Sequence, residues 1–273
     1  QSLNNLLEKK VMERTHELME SNARLLIARD EAILANKLKS QFVANISHEI
    51  RTPMSGILSA TELVLDDPSS INDESSILIQ MAHESAKNLM LILNDILDFA
   101  KLESGKSELK ESQFCLAAVI GEALETVSAS AKKKSLPINE DVPELLKTQL
   151  LTGDAILMKR VLVNLVHNAV KFTHEGEVNI SVDSKVQNED TILIRTEVVD
   201  TGIGIADSDM AKLFQPFVQA DGSNTRIYGG TGLGLSICSG YVRLMGGVMG
   251  VESTKNKGSK FWFEVPLKVA SNE

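Results

Sequence analysis

The chain has 273 residues, 43% of them hydrophobic and 24% charged, and a net charge of −9. That length is a prior for two domains, and the composition is that of an ordinary soluble protein with material for a sizeable core. The acidic balance argues against a nucleic-acid partner, which calls for a basic face. It leaves a nucleotide site open, because backbone N–H groups and a metal hold phosphates well.

Residues 1 to about 39 are rich in charge and free of Gly and Pro. Val11, Leu18, Leu25 and Ala32 recur every seven residues, the spacing of a supercoiled helix pair. A lone helix this polar would have little to bury. The helical pattern continues through Phe42, Ile46, Ile50 and Ile57 and stops near Asp66-Asp67-Pro68-Ser69-Ser70, a turn cluster. A second helix starts after Asn72 or Asp73, either of which can cap it. Its apolar residues Leu78, Met81, Leu89, Ile92, Ile96 and Phe99, flanked by Leu93, Leu97 and Ala100, form a stripe too wide for one partner helix. Two such hairpins would bury their stripes as a four-helix bundle. Ser104-Gly105 ends the second helix.

From about residue 109 helical and strand-like stretches alternate. Asp154 to Phe172 reads as a helix with Asp154 as its cap. Glu177 to Asp183 and Thr191 to Val199 alternate as strands. Gly232 to Met245 reads as a helix, and Val248 to Glu252 and Ser259 to Leu267 as closing strands, with turns at Gly246-Gly247 and Asn256-Lys257-Gly258. The expected architecture is an α+β layer.

Four segments carry chemistry. His48-Glu49-Ile50-Arg51-Thr52-Pro53 lies in the first long helix, with His48 and Thr52 on one face. A histidine next to a carboxylate is a nucleophile with a proton acceptor beside it, and Pro53 cannot donate to the Glu49 carbonyl, which weakens the helix one turn on. Asn164, Asn168 and Lys171 form one polar stripe at i, i+4 and i+7. Two amides and an ammonium suit a metal-bound polyphosphate, although a solvated helix face has the same pattern. Asp200-Thr201-Gly202-Ile203-Gly204-Ile205 follows a strand, and Asp200 could accept from an exocyclic amine. Gly229-Gly230-Thr231-Gly232-Leu233-Gly234-Leu235 opens a helix, a favourable place for phosphate. There is no G-x-x-x-x-G-K-[ST] loop, and the late glycine string does not fit a dinucleotide fingerprint.

Taken in order, these segments resemble the sensor histidine kinases from about residue 37 to 268, in the style of the hybrid kinases. Phe42 to Met54 is similar to the family's H box, Asn164 to Thr173 to its N box and Asp200 to Ile205 to its G1 box. Phe214-Gln215-Pro216-Phe217 is similar to its F box, and Gly229 to Leu235 to its G2 box. Asp95 to Gly105 resembles the family's second-helix ending. The resemblance implies three parts: a coiled-coil signalling helix over 1–39, a dimerising, histidine-bearing hairpin (HisKA) over 40–108, and a GHKL-type α/β sandwich that binds ATP over 109–273. It implies His48 as phosphoacceptor, Glu49 as its proton acceptor, and with Thr52 an E-x-x-T pattern for removing phosphate from the partner. It implies Mg²⁺ on Asn168 with Asn164 beside it, Lys171 and Arg226 facing phosphates, and Asp200 on the adenine amine. Gly202, Gly204, Gly230, Gly232, Leu233 and Gly234 would shape the pocket and its lid.

Two departures stand out. His167 replaces a usually small residue, and Ile227 follows Arg226 where a basic residue is common. His16, His83 and His174 read as structural or solvated. The implied partners are a second copy of the chain, a receiver domain of a response regulator and an upstream sensor domain. One alternative is a GHKL ATPase that uses hydrolysis for conformational work, which would share the Asn168 and Asp200 pocket but not the H box. The other is a catalytically silent coiled-coil scaffold, which would be expected to lose Asn168 or the lid glycines. Cys115 and Cys238 have no metal or disulfide spacing, no run reaches the ~18 apolar residues of a membrane span, and no secretory signal opens the chain. The expectation is a cytoplasmic piece of something longer, with a membrane-bound parent left open.

Overall fold

A computed structural model describes residues 2–66, 73–188, 190–218 and 232–270; within its helices, the side chains of 2–9, 13, 30, 32, 34–49, 53, 65–66 and 73–76 lie outside the description. The chain divides into two compact units, Gln1–Met90 and Leu91–Glu273.

The first unit is helical. Helix α1 spans Ser2–Asp66 and passes without a break through Pro53. Helix α2 spans Asp73–Glu103, so that its final turns belong to the second unit. Val11, Leu18 and Leu25 are exposed on α1, and Ile57, Leu63, Ile77, Leu78, Met81 and Leu89 are exposed on the hairpin. Ala86 is buried, and so is His83, at 8% exposure. The His83 Nδ1 lies 3.0 Å from the Thr61 Oγ1. The Thr61 hydroxyl also lies 2.9 Å from the carbonyls of Ile57 and Leu58. His83 is a polar staple between the helices rather than a solvated residue.

The end of α2 is a Schellman motif, in which Lys106 N donates to Lys101 O, Gly105 N donates to Leu102 O, and Gly105 sits at φ 64°. This is the physical content of the Ser104-Gly105 stop.

The second unit is a layer of helices on one sheet. Its elements are β1 Ser112–Cys115, α3 Leu116–Lys133, β2 Ile138–Asp141, α4 Glu144–Thr148, β3 Leu150–Gly153, α5 Ala155–Phe172, β4 Val178–Val186, β5 Thr191–Asp200, α6 Asp207–Met210, α7 Gly234–Leu244, β6 Val248–Thr254 and β7 Gly258–Val269. Among the described residues the sheet has seven strands in the order β1-β3-β7-β5-β4-β2, with β6 also paired to β7. The pairings are antiparallel except β2 with β4. Along β5 and β7 burial alternates residue by residue, as it must where one sheet face is packed and the other wet. Ile194, Val198, Phe263, Val265 and Leu267 face inward, against Leu116, Ile120, Met158, Leu162, Leu165, Ile237 and Val242 of the helices.

Helix α5 starts where the sequence indicates. The Asp154 carboxylate accepts from Leu157 N at 3.0 Å and from Lys110 N at 2.8 Å, so one cap also pins the incoming chain. The last turns of α2 pack on this second unit. Ile96, Phe99 and Leu102 lie against its core, and Asp98 pairs with Arg160 at 2.5 Å, the same guanidinium donating to the Tyr241 hydroxyl at 2.7 Å.

Candidate functional site

Three elements meet along α5. The first is Asp200 to Ile205. Asp200 ends β5 and is 6% exposed. Its Oδ1 accepts from Gly202 N at 2.8 Å. Burial raises its pKa, partly opposed by the backbone N–H groups of Gly202 and Ser259. The loop is tied on three sides. Ile203 N donates to Phe172 O of α5, Asn256 N of the β6–β7 turn donates to Ile203 O at 2.7 Å, and Ile205 N donates to the Ser253 hydroxyl at 2.8 Å. Gly202 has no room for a side chain, since a Cβ would run into the Phe172 carbonyl. Gly204, at φ 61°, lies against the Thr254 carbonyl in the same way.

The second element is the polar stripe of α5. The Asn168 Nδ2 donates to the Asn164 Oδ1 at 3.1 Å. That bond commits the Asn168 amide nitrogen and leaves its Oδ1 as the acceptor or ligand atom. The Lys171 ammonium lies 5.0 Å from the Phe172 ring centroid, and desolvation lowers its pKa. His167 is exposed on the same helix, so it does not crowd the packed face. Local desolvation, then the charges of Lys171 and Lys134, push its imidazole below the ordinary value.

The third element is the start of α7. Gly234 packs on the Asn164 amide so closely that a Cβ would collide with it, Leu233 is fully buried, and Gly232 adopts φ 69°. The Gly232 carbonyl accepts from Phe217 N at 3.0 Å. Phe217 is a non-glycine residue at φ 64°, and its exposed ring meets Phe99 edge-on at 5.9 Å.

The structure thus links Asn164, Asn168 and Gly234 by direct contact, and ties Asp200, Gly202 and Gly204 to the end of α5 through Phe172. Arg226 and Gly230 lie outside the described residues. His48 and Glu49 lie in α1, with their side chains outside the description, and Thr52 is exposed on that helix in the other unit. Of the two free cysteines, Cys238 is buried and its thiol is pushed up to about 12, chiefly by desolvation, so it is inert. The described residues contain no cluster of metal-ligating acid, His or Cys side chains and no helix long and apolar enough to cross a membrane.

An amide pair, an ammonium, a buried carboxylate and glycines that let backbone approach closely are groups that could hold a nucleotide and its counter-ion. Residues 38–105 match the model of the His Kinase A (phospho-acceptor) domain, and residues 153–269 that of the histidine kinase-, DNA gyrase B- and HSP90-like ATPases. The chain carries a histidine kinase catalytic core.

The pairing of the two domains sets this histidine kinase core apart from a GHKL ATPase lacking an acceptor domain. It is 40% identical over 250 residues to the sensor histidine kinase GacS of Pseudomonas protegens, covering 90% of this chain and 26% of that protein. It is 38% identical over 263 residues to the signal transduction histidine-protein kinase BarA of Escherichia coli, covering 94% and 28%. Among solved structures it resembles full-length ShkA in complex with AMPPNP, with a TM-score of 0.71 and 31% identity over 85% of this chain and 46% of that one. The histidine kinase core spans little more than a quarter of the length of GacS and BarA.

Sequence reasoning did not single out Lys134, whose ammonium meets the carbonyls of Val170, Lys171 and Thr173 at the end of α5. The signal was present in the basic run Lys132-Lys133-Lys134, but such runs usually face solvent. It also took the β6–β7 turn for a plain connection, although Asn256 and Thr254 hold the Asp200 loop.

Proposed function

We propose that this chain binds Mg·ATP in the α5 site, phosphorylates its own His48, and passes the phosphoryl group to an aspartate of a receiver domain. The observation that carries the reading is the join of an H-box hairpin to a domain in which Asn164, Asn168, Gly234 and the Asp200 loop gather at one helix. In this reading Asp200 accepts from the adenine amine. Its burial among backbone donors supports that role, because a fixed acceptor reads one face of the base. Asn168 supplies Oδ1 to Mg²⁺ and Lys171 an ammonium to the phosphates. Gly202, Gly204, Gly232 and Gly234 leave space where any side chain would collide. Arg226, Gly230 and Leu233 complete the lid.

Phosphoryl transfer asks a protein chiefly for positioning and charge neutralisation. The His48 ring nitrogen attacks the γ-phosphorus, the bond to the β–γ bridging oxygen breaks, and ADP leaves. Glu49 accepts the proton of the other ring nitrogen and so keeps the attacking one nucleophilic. Thr52, one turn on, orients a water for dephosphorylation of the partner. The active form is a homodimer, which would cover the exposed stripes of the hairpin. An upstream sensor domain sets its activity on the cytoplasmic side, where ATP is abundant.

Labelled ATP and the full chain test this directly. Acid-labile label is expected on the wild type and absent from His48→Gln, which still binds nucleotide. Asn168→Asp is expected to weaken binding mainly when magnesium is present. Thr52→Ala should keep autophosphorylation and slow loss of phosphate from a phosphorylated receiver. Label that persists on His48→Gln would refute the acceptor assignment.

A further inference from the structure

Every helix ends with four carbonyls that have no partner within the helix. At the end of α5 each of the four has a donor. Ala169 O accepts from Thr173 N and, at 2.7 Å, from the Thr173 hydroxyl. Phe172 O accepts from Ile203 N. The remaining two, Val170 O and Lys171 O, accept from the Lys134 ammonium at 2.7 and 2.9 Å, and the same ammonium meets Thr173 O at 3.0 Å. Three acceptors around one nitrogen require three N–H donors, which only the charged ammonium has. Its charge also sits at the negative end of the helix dipole.

We propose that Lys134 is a positioning residue of the nucleotide site, setting the height of the Asp200 loop against the Asn164–Asn168–Lys171 stripe. The carbonyls it holds flank the Phe172 carbonyl, the one that takes the Ile203 amide and against which Gly202 packs. If the last turn of α5 frays, Phe172 O moves, and Ile203, Gly202 and the Asp200 carboxylate bonded to Gly202 N move with it. Lys171, whose own carbonyl Lys134 holds, swings in the same motion. Lys134 is itself held in place: α3 closes in a Schellman motif, with Leu136 N donating to Ala131 O and Ser135 N to Lys132 O. That turn directs the chain at Lys134 toward α5. The inference rests on the nucleotide reading of the site and names a residue outside it that sets its geometry.

The test uses the full chain and two measurements. One is ADP affinity by calorimetry. The other is amide hydrogen exchange at Ile203, both well below the melting temperature. Lys134→Met, which keeps the stem and loses the donors, is expected to weaken ADP binding about tenfold and to speed exchange at Ile203. Lys134→Arg should recover most of both. Lys134→Gln, with two donors, serves if the Met variant does not fold, and should fall between them. A lower melting temperature with ADP affinity and Ile203 exchange within twofold of wild type would reduce Lys134 to a structural staple and overturn the proposal. Absence of ADP binding by the wild type would instead overturn the nucleotide reading itself.

Discussion

The two units use apolar residues in opposite ways. In the ATPase unit, Leu165, Ile180, Ile194 and Phe263 are fully buried, and a sheet face and three helices close over them. In the described part of the hairpin unit, Leu63, Ile77, Leu78 and Met81 lie open, and the buried side chains are His83 and Ala86. Two helices cannot enclose a core of that width, since each has a face left over. One unit has what it needs to fold alone, and the other leaves apolar stripes that a second copy would cover in the proposed homodimer.

The sharpest way to break this contrast is to cut the chain. Residues 1–108 are expected to be a helical dimer that binds no ATP and loses its helix on dilution. Residues 109–273 are expected to be a monomer that binds ATP and does not label itself, and mixing the two should give slow label on His48 because the tether is gone. The packing of Ile96, Phe99 and Leu102 refines the cut. A fragment starting at Leu91 should be more stable than one starting at 109 by roughly 1–3 kcal/mol, the burial of three part-covered side chains less the cost of ordering them. Light scattering, circular dichroism and urea unfolding report all of this. A dimeric ATPase fragment would put the dimer contact in the wrong unit.

Point substitutions should separate the units further. Phe263→Ala removes a fully buried ring and is expected to cost about 3–5 kcal/mol in the ATPase unit. Met81→Ala removes an exposed side chain from the monomer. It should leave the ATPase transition unchanged and lower only the concentration-dependent transition of the hairpin. Calorimetry over a range of protein concentrations resolves the two. A shift of both transitions by either variant would show that the units do not melt independently.

How much of this was legible follows the length of each signal and whether turn residues bound it. The helices of the hairpin, α5, α7 and the pairs β4–β5 and β6–β7 announce themselves through periodicity and the turn residues that bound them, whereas α3, as long as α5, is not delimited in the sequence reading because no turn or capping residue marks its start at Cys115. The strands β1, β2 and β3 have four residues each, too few for a period; β2 and β3 form on the longer β4 and β7, and β1 in turn on β3. In the candidate site, the motif residues stand out in the sequence because polar and glycine residues sit where packing would not choose them. Lys134 does not, since its meaning depends on a helix end some 36 residues further along the chain. His83 looks like an ordinary polar position, because a partner on another helix leaves no local trace.

A smaller effect sharpens the picture at the turn after α3. Ser135 occupies the left-handed region at φ 54°, in the place of a Schellman motif where glycine is usual. The comparable turn after α2 has Gly105. Ser135→Gly removes the side-chain clash at some cost in chain entropy, for a net gain of about 0.5–1 kcal/mol in the ATPase unit. A melting temperature raised by a few degrees in that transition alone is the expected result. An unchanged or lowered value would mean that the serine carries no strain.

The smallest expected effect concerns pH and again falls on one unit only. His167 titrates below its ordinary value because local desolvation, and then the Lys171 and Lys134 charges, oppose its protonation in the folded chain. The unfolded chain therefore binds the proton more readily. Stability from this source is complete above the ordinary histidine pKa of about 6.5. It falls as pH drops through that value and levels off below the folded pKa. His167→Gln removes this contribution, so the ATPase transition of the variant should decline less between neutral and mildly acid pH than that of the wild type. The cause can be tested at the ring itself, by following the His167 Cε1 proton by NMR. Lys171→Met should move its titration upward but only part of the way, because desolvation, the larger cause, stays. A full return to the ordinary value would make charge the dominant cause, and no movement at all would remove Lys171 from the account.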